Sequence, residues 1–445
     1  MSVLQTQINK VIILALMVMV GAACSSQPTS FKIVKNGEGV SIPFIMAGQE
    51  KIKVEFNENN EFTLDITQLE TPFLVRYPEG RSMNYAYVNE GSAQVINISK
   101  DGATHTGDNA EYANYLNTRE VVRVELLKTD SETVAIAKVK ETFEINIAGL
   151  EKQNLDDVFT TNQETYFTYL GAIKFLNWLK TLPNAKELSD DSPGIRFIEE
   201  MLSQKGVMNS TYQSYAKGAL EFLAGRTWKE GDTVLDWCEQ IVNLSFRLVE
   251  KDGGKDVMVN NSIHRHVKYC GINGMKPIID KALSKMTNPT EIDKLKALYA
   301  SWEHLEPGMK SHSFSYDDIN GNKVSLSDFE GKYVYIDMWA TWCTPCVKEI
   351  PYVQELEKEF HGQDIVFVSI SSDENMDKWK KKVLGDNLKG IHLIDGGDKE
   401  FAQFLNVKGI PHFVLIGKNG EIIDAKCTRP SDPKTRTLLE NLLKN

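Results

Sequence analysis

The chain has 445 residues, too many for one ordinary domain, so two or three are expected. Its 42% hydrophobic and 25% charged residues are those of a soluble globular protein. A net charge of −11 argues against nucleic acid as a partner and against adhesion to anionic membranes.

The N-terminus differs from the rest. A polar start ending at Lys10 runs into the apolar stretch Val11–Val20 and then Gly21-Ala22-Ala23-Cys24. Such a stretch is too short for a membrane-spanning helix, which needs about 20 residues, but it suits the core of a signal peptide. Small residues directly before a cysteine resemble the lipobox of bacterial lipoproteins, with Gly21 standing where Leu is usual. The resemblance implies a signal peptide over 1–23, lipid on the Cys24 sulfur and a polar tether over 24–30. An ordinary secretory peptide with an incidental cysteine is the other reading. Ser25 after the cysteine, by similarity to Gram-negative lipoproteins, points to a periplasm-facing protein on the outer membrane.

Residues 31–150 read as a small antiparallel β domain. Ile52, Val54 and Phe56 alternate with polar residues, as do Phe62, Leu64 and Ile66. Similar runs lie at 94–98, 121–127 and 133–147, with turn signals at Asn59-Asn60, Pro78-Glu79-Gly80 and Asp101-Gly102. From 151 to 305 the period becomes helical. A stripe from Tyr166 to Leu179 ends at Pro183, and others cover 195–202, 212–223, 233–249 and 292–305. The pair His264 and His266 lacks a third metal ligand at useful spacing, so both are expected on a solvated helix face. Trp178, Trp228 and Trp237 are expected in the core.

The segment Glu306-Pro307-Gly308 marks the last boundary. After a hairpin pattern turning at Asn320-Gly321, residues 306–445 alternate strand and helix as an α/β unit with a mixed sheet. Within it the strand 333–339 runs directly into Trp342-Cys343-Thr344-Pro345-Cys346 and a helix over 343–360. Unpaired N–H groups and the dipole at a helix N-terminus favour a thiolate on the first cysteine. The second, one turn later, can attack a mixed disulfide and release the partner. This is dithiol–disulfide exchange chemistry. Asp337 lies in a strand with apolar neighbours, which predicts burial and a raised pKa. Glu349 lies three residues after Cys346, on the same helix face.

Residues from about Pro307 to Asn445 resemble the TlpA/ResA branch of the thioredoxin fold. The stretches that carry the resemblance are 326–332 (Leu-Ser-Asp-Phe-Glu-Gly-Lys), 337–346, Glu349-Ile350-Pro351 and 407–413 (Val-Lys-Gly-Ile-Pro-His-Phe). The fold class it implies is an α/β thioredoxin-like C-terminal domain behind a β domain and a helical region. The activity it implies is an extracytoplasmic thiol–disulfide oxidoreductase acting on protein thiols and disulfides. No cofactor is implied beyond the Cys343–Cys346 pair, and a membrane electron-donor protein would recharge it. By the same resemblance Pro411 is cis, Ile410 offers a backbone edge to an extended substrate, and Trp342 is the surface aromatic beside the attacking sulfur. Asp337 is the acceptor of the Cys346 proton, and Glu349 matches the active-site Glu of the ResA branch. Pro345 matches reducing members of the fold.

Three cysteines remain. Cys238 and Cys270 either bridge or stay as buried free thiols. Cys427, placed by alignment along the last strand, is expected near Trp342, Cys343 and Pro411. There it is a third redox thiol or a substrate contact; a small, partly buried side chain is the alternative. Two other functions compete: a thioredoxin-fold peroxidase, for which the required Pro-x-x-x-Thr-x-x-Cys spacing is missing, and a lipoprotein binding module with a structural thioredoxin domain. Oligomeric state is open.

Overall fold

The computed structural model describes residues 30–37, 42–47, 50–65, 73–79, 82–88, 92–99, 102–153, 155–206, 208–251 and 253–444. The expected signal peptide, Cys24 and the tether up to Thr29 lie outside these residues, and Ser30 opens the first strand. The chain divides into two units, Met1–Arg123 with Glu144–Thr160, and Val124–Phe143 with Thr161–Asn445.

The first unit contains two four-stranded sheets. One has the order β4-β1-β7-β8, built from β1 (Ser30–Lys35), β4 (Glu61–Leu64), β7 (Ala93–Ser99) and β8 (Gly102–Gly107). The other, β3-β2-β5-β6, is built from β2 (Phe44–Ala47), β3 (Glu50–Lys53), β5 (Phe73–Glu79) and β6 (Ser82–Val88). Pairing is antiparallel except between β1 and β7. Phe31, Ile33, Ile45, Val75, Tyr77 and Ile96 form part of its core, as the two-residue period requires. A short helix, α1 (Ala110–Thr118), follows.

Two expected strands are absent. Residues 133–147 lie in helix α2 (Glu132–Glu151), because Ala, Lys and Glu supply helix propensity that outweighs the alternating β-branched positions. The Ser131 hydroxyl accepts the Val134 N–H at 3.3 Å at the start of that helix. Residues 121–127 join no sheet. Instead, the Asn146 carboxamide accepts the Val122 N–H and donates to the Val122 carbonyl, doing the work of a neighbouring strand.

The helices α3 (Asp157–Leu179), α4 (Pro193–Ser203), α5 (Ser210–Arg226) and α6 (Val234–Leu248), which belong to the second unit except for residues 157–160, match the apolar stripes of the sequence. Thr233 and Asp236 close a reciprocal cap at the start of α6. Then come α7 (Gly254–Cys270), α8 (Lys276–Leu283) and α9 (Pro289–Ala300). His264 is exposed, but His266 is buried, contrary to the solvated face expected for both. Trp178 is buried and Trp237 partly so, whereas Trp228 is 42% exposed and is not a core residue. Among the described residues no helix is long and apolar enough to cross a membrane.

The C-terminal part of this unit is a seven-stranded mixed sheet, β10-β9-β13-β12-β11-β14-β15. Its strands are β9 (Ser315–Asp318), β10 (Lys323–Ser325), β11 (Tyr333–Trp339), β12 (Ile365–Ser371), β13 (Ile391–Ile394), β14 (His412–Ile416) and β15 (Ile422–Asp424). Strands β11, β12 and β13 are parallel, and β14 returns antiparallel beside β11. The helices are α10 (Thr344–Glu359), α11 (Met376–Gly385), α12 (Glu400–Phe404) and α13 (Pro433–Lys444). Alternation along β11 sends Val334, Ile336 and Met338 into one apolar cluster with Val259, Ile263 and Ile279 of the helical region. Tyr335, Asp337 and Trp339 face the other way. Trp339 there joins Cys343 and Cys346 in one cluster.

Candidate active site

β11 is buried along almost its whole length and stops at Trp339, where the chain turns and starts α10. Cys343 is the N-cap of that helix, and its sulfur accepts the Cys346 N–H at 3.2 Å. Cys343 and Cys346 are joined as a disulfide. Pro345 sits in the first turn, where its missing N–H costs nothing. A sulfur in this position faces the positive end of the helix, which stabilises a thiolate once the bond is reduced.

The Ile410–Pro411 bond is cis, and the Ile410 carbonyl lies 3.7 Å from the Cys343 sulfur. Trp342 is 69% exposed, whereas Cys343 is only 5% exposed. A groove of about 850 Å³ opens beside them, with Thr341, Trp342, Asp373 and Ile410 on its wall and Met338 and Ile370 among its lining residues. The structure therefore gathers Trp342, Cys343, Ile410 and Pro411 where the central strand β11 ends and β14 begins.

Asp337 is 3% exposed, paired in register with Ser369 on one side and Phe413 on the other. Burial, reinforced by the negative charge of Glu349, pushes its carboxyl up to about 7, with Ser369 acting weakly in the opposite direction. Its Oδ1 has no hydrogen-bond partner among the described residues. A carboxylate with a free oxygen and a pKa near neutrality is suited to taking and returning a proton.

Glu349 is also buried, but its oxygens are occupied. Ser431 donates to both, from its N–H at 3.1 Å and its hydroxyl at 3.0 Å, and the Arg429 guanidinium is 3.6 Å away. Glu349 thus ties the loop after β15 to the first turns of α10. Arg429 and Ser431 were missed from sequence because they sit about eighty positions from Glu349, and the Pro430 turn signal names no partner. His412, next to Pro411, donates from Nε2 to the Ala425 carbonyl at 2.8 Å, and burial pulls its pKa down to about 4.

Cys427 is not at the rim. β15 ends at Asp424, and the Cys427 N–H bonds to the Phe413 carbonyl at 2.9 Å. This turns the side chain into a core cluster with Tyr335, Val353, Leu356 and Leu439. Burial pushes its thiol well above the ordinary range, so it is not a ready nucleophile, and the small buried side chain named as the alternative describes it. In the reduced native protein, iodoacetamide is expected to label Cys343 and spare Cys427 until denaturant is added. Native labelling of Cys427 at a comparable rate would contradict this placement. Cys238 and Cys270 are free thiols, the first buried and the second half-buried. Among the described residues no cluster of His, Cys, Asp and Glu could hold a metal ion.

Residues 306–443 match the Redoxin family. The chain is 32% identical to the thiol-disulfide oxidoreductase ResA of Bacillus cereus over 146 residues, which is 33% of this chain and 82% of that protein. It is 33% identical to ResA of Bacillus thuringiensis over 142 residues, covering 32% and 79% of the two chains. A solution structure from Bacteroides vulgatus, described as a candidate thiol-disulfide oxidoreductase, shares 52% identity with a TM-score of 0.29. It covers 30% of this chain and 87% of that one. With the Cys343–Cys346 pair at the start of α10 and Pro411 beside it, the chain belongs to the TlpA/ResA-like thiol–disulfide oxidoreductases of the thioredoxin fold.

Proposed function

We propose that the protein is an extracytoplasmic, lipid-anchored oxidoreductase that reduces disulfides in other proteins. The observation that carries the reading is a cysteine sulfur at a helix N-terminus, beside an exposed tryptophan and 3.7 Å from the Ile410 carbonyl. In this scheme the Cys343 thiolate attacks one sulfur of a substrate disulfide. A mixed disulfide forms and the other substrate sulfur leaves as a thiolate. Cys346 passes its proton to Asp337 and attacks the Cys343 sulfur, regenerating the Cys343–Cys346 disulfide and releasing the second substrate thiolate. Two electrons have moved to the substrate, and a membrane dithiol donor returns the pair to its reduced form.

The reducing direction is supported by Pro345 in the Cys-x-x-Cys interior. Location is supported by the Val11–Val20 stretch and the small residues before Cys24. Purified protein is expected to catalyse insulin reduction by dithiothreitol. Its pair should equilibrate nearer the thioredoxin value, ~−270 mV, than the strongly oxidising ~−120 mV of DsbA. A potential close to the latter would reverse the direction. Palmitate labelling in cells that disappears in Cys24→Ala is the expected result for the anchor; labelling that persists would remove it.

A further inference from the structure

The segment between β11 and α10 is held from outside by a second strand end. Asp373 follows β12 and is 3% exposed. Its Oδ2 accepts the Thr341 N–H at 2.8 Å and the Ser371 hydroxyl at 2.7 Å, and its Oδ1 accepts the Thr341 hydroxyl at 2.7 Å. The Ser371 hydroxyl in turn accepts the Asp373 N–H at 3.1 Å, which fixes the carboxylate itself. Next to it, the Ser372 N–H donates to the Trp339 carbonyl at 3.0 Å, and the Cys343 N–H donates to the Ala340 carbonyl at 3.1 Å.

Trp339, Ala340 and Thr341 are therefore each fixed by a hydrogen bond, and Trp342 is left projecting into solvent. Thr341 lies two residues ahead of Cys343, and both Thr341 and Asp373 are on the wall of the groove beside Trp342 and Ile410. Any rotation of the Thr341 peptide would move the Cys343 sulfur relative to the helix N–H groups and the Ile410 carbonyl. A carboxylate that places two of its three accepted bonds on one residue of a reactive loop, with the third steadying the carboxylate from Ser371, does more than close a turn. A turn could be closed by the backbone alone, and the hydroxyl bond adds a second point that removes rotation about the first.

We propose that Asp373, acting through Thr341, is the positioning residue of the reaction: it holds the Cys343 sulfur in line with an incoming disulfide. Because a displacement of about 1 Å at a reacting atom can cost up to roughly 100-fold in rate, a clamp two residues away is able to control turnover. The proposal rests on Cys343 being the attacking sulfur. Loss of insulin reduction in Cys343→Ser tests that reading separately, and activity retained there would remove the base of the proposal without involving the clamp.

The clamp itself is tested in the full chain with Thr341→Val, which keeps the backbone N–H and side-chain volume but deletes the hydroxyl bond, and with Thr341→Ser, which keeps the hydroxyl. Three quantities are read at matched thermal stability: kcat and KM for insulin reduction, the pH profile of Cys343 alkylation, and the potential of the Cys343–Cys346 pair. Thr341→Val is expected to lower kcat by about 10-fold, the size of one charge-assisted hydrogen bond, with a smaller change in KM and a displaced alkylation profile. Thr341→Ser is expected to restore both. Asp373→Asn, which keeps the shape but removes the charge, should fall between wild type and Thr341→Val in kcat. If Thr341→Val matches wild type in rate, profile and potential, Asp373 is a turn residue only and the proposal is overturned. The same holds if Thr341→Ser is as slow as Thr341→Val.

Discussion

Reduced Cys346→Ser protein mixed with a disulfide-bonded substrate is expected to stop as a mixed disulfide on Cys343. Cys343 caps α10 and lies beside the exposed Trp342, whereas Cys346 is 1% exposed and sits behind it in the same helix turn. On the proposed function, the first sulfur, at the helix N-terminus, meets the protein substrate and the second resolves the adduct. A serine hydroxyl does not displace sulfur, so turnover should drop by roughly 1,000-fold or more while the first step persists. Peptide mapping by mass spectrometry should place one substrate half on Cys343. An adduct on Cys270 or Cys427, or turnover that survives the substitution, would show that another thiol does the work.

The second large effect is expected at Asp337. Burial and the Glu349 charge raise its carboxyl to about 7, against an ordinary value near 4, so between those pH values the folded state holds a proton that the unfolded state has lost. This stabilisation is complete below pH 4 and is lost as pH rises through 7. At pH 8 the buried carboxylate is charged, and Asp337→Asn should be more stable than wild type by roughly 2–4 kcal/mol in urea unfolding. At pH 4 the two proteins should unfold alike. His412 has the opposite slope. Its neutral ring is favoured by burial down to about pH 4, so its contribution is present above pH 6.5 and lost on acidification. The variant therefore keeps a rise in stability from pH 4 to 6.5 that the wild type partly cancels.

The same substitution removes the unpartnered Oδ1 oxygen's capacity to accept a proton. Release of a mixed disulfide by Cys346 should slow by roughly 100-fold at pH 7, measured in single turnover, while formation of the mixed disulfide changes little. A stability gain that is equal at pH 4 and pH 8, with resolution at the wild-type rate, would show that Asp337 stays charged and takes no part. Glu349 is not interchangeable with it. With Ser431 donating to both of its oxygens, Glu349 has the geometry of a fixed anchor that sets the Asp337 environment by its charge.

Much of the C-terminal architecture was legible in advance. Strands 333–339 and 365–371 and the helix starting at Cys343 were read from hydrophobic runs bounded by strong turn and cap signals, and they appear with those bounds to within a residue. The N-terminal half was harder. Residues 133–147 carry alternating Val, Ile and Phe, yet they form a helix, because local propensity and the Asn146 bonds to Val122 decide what alternation alone leaves open. In the β5–β6 pair the expected turn residues Pro78 and Glu79 are themselves strand residues, opposite Met83 and Ser82, and neither strand has the strict polar–apolar alternation that would announce it.

The order of residues by itself determined the chemistry: two thiols at the spacing of one helical turn, an acid inside an apolar strand, and a proline near a third strand. These are local properties, set by helix geometry and by the desolvation of a side chain whose neighbours are apolar. Tertiary structure decided which distant groups act on them. The Cys427 side chain was turned inward by a single backbone bond to Phe413, so a cysteine that alignment placed at the rim lies in the core. Ser431 reached Glu349, and Asp373 reached Thr341, across sheet ends that only strand order brings together. Sequence periodicity reports which face of an element is buried; it carries no information about which loop ends beside it, and the bonds that aim the Cys343 sulfur are made between loops.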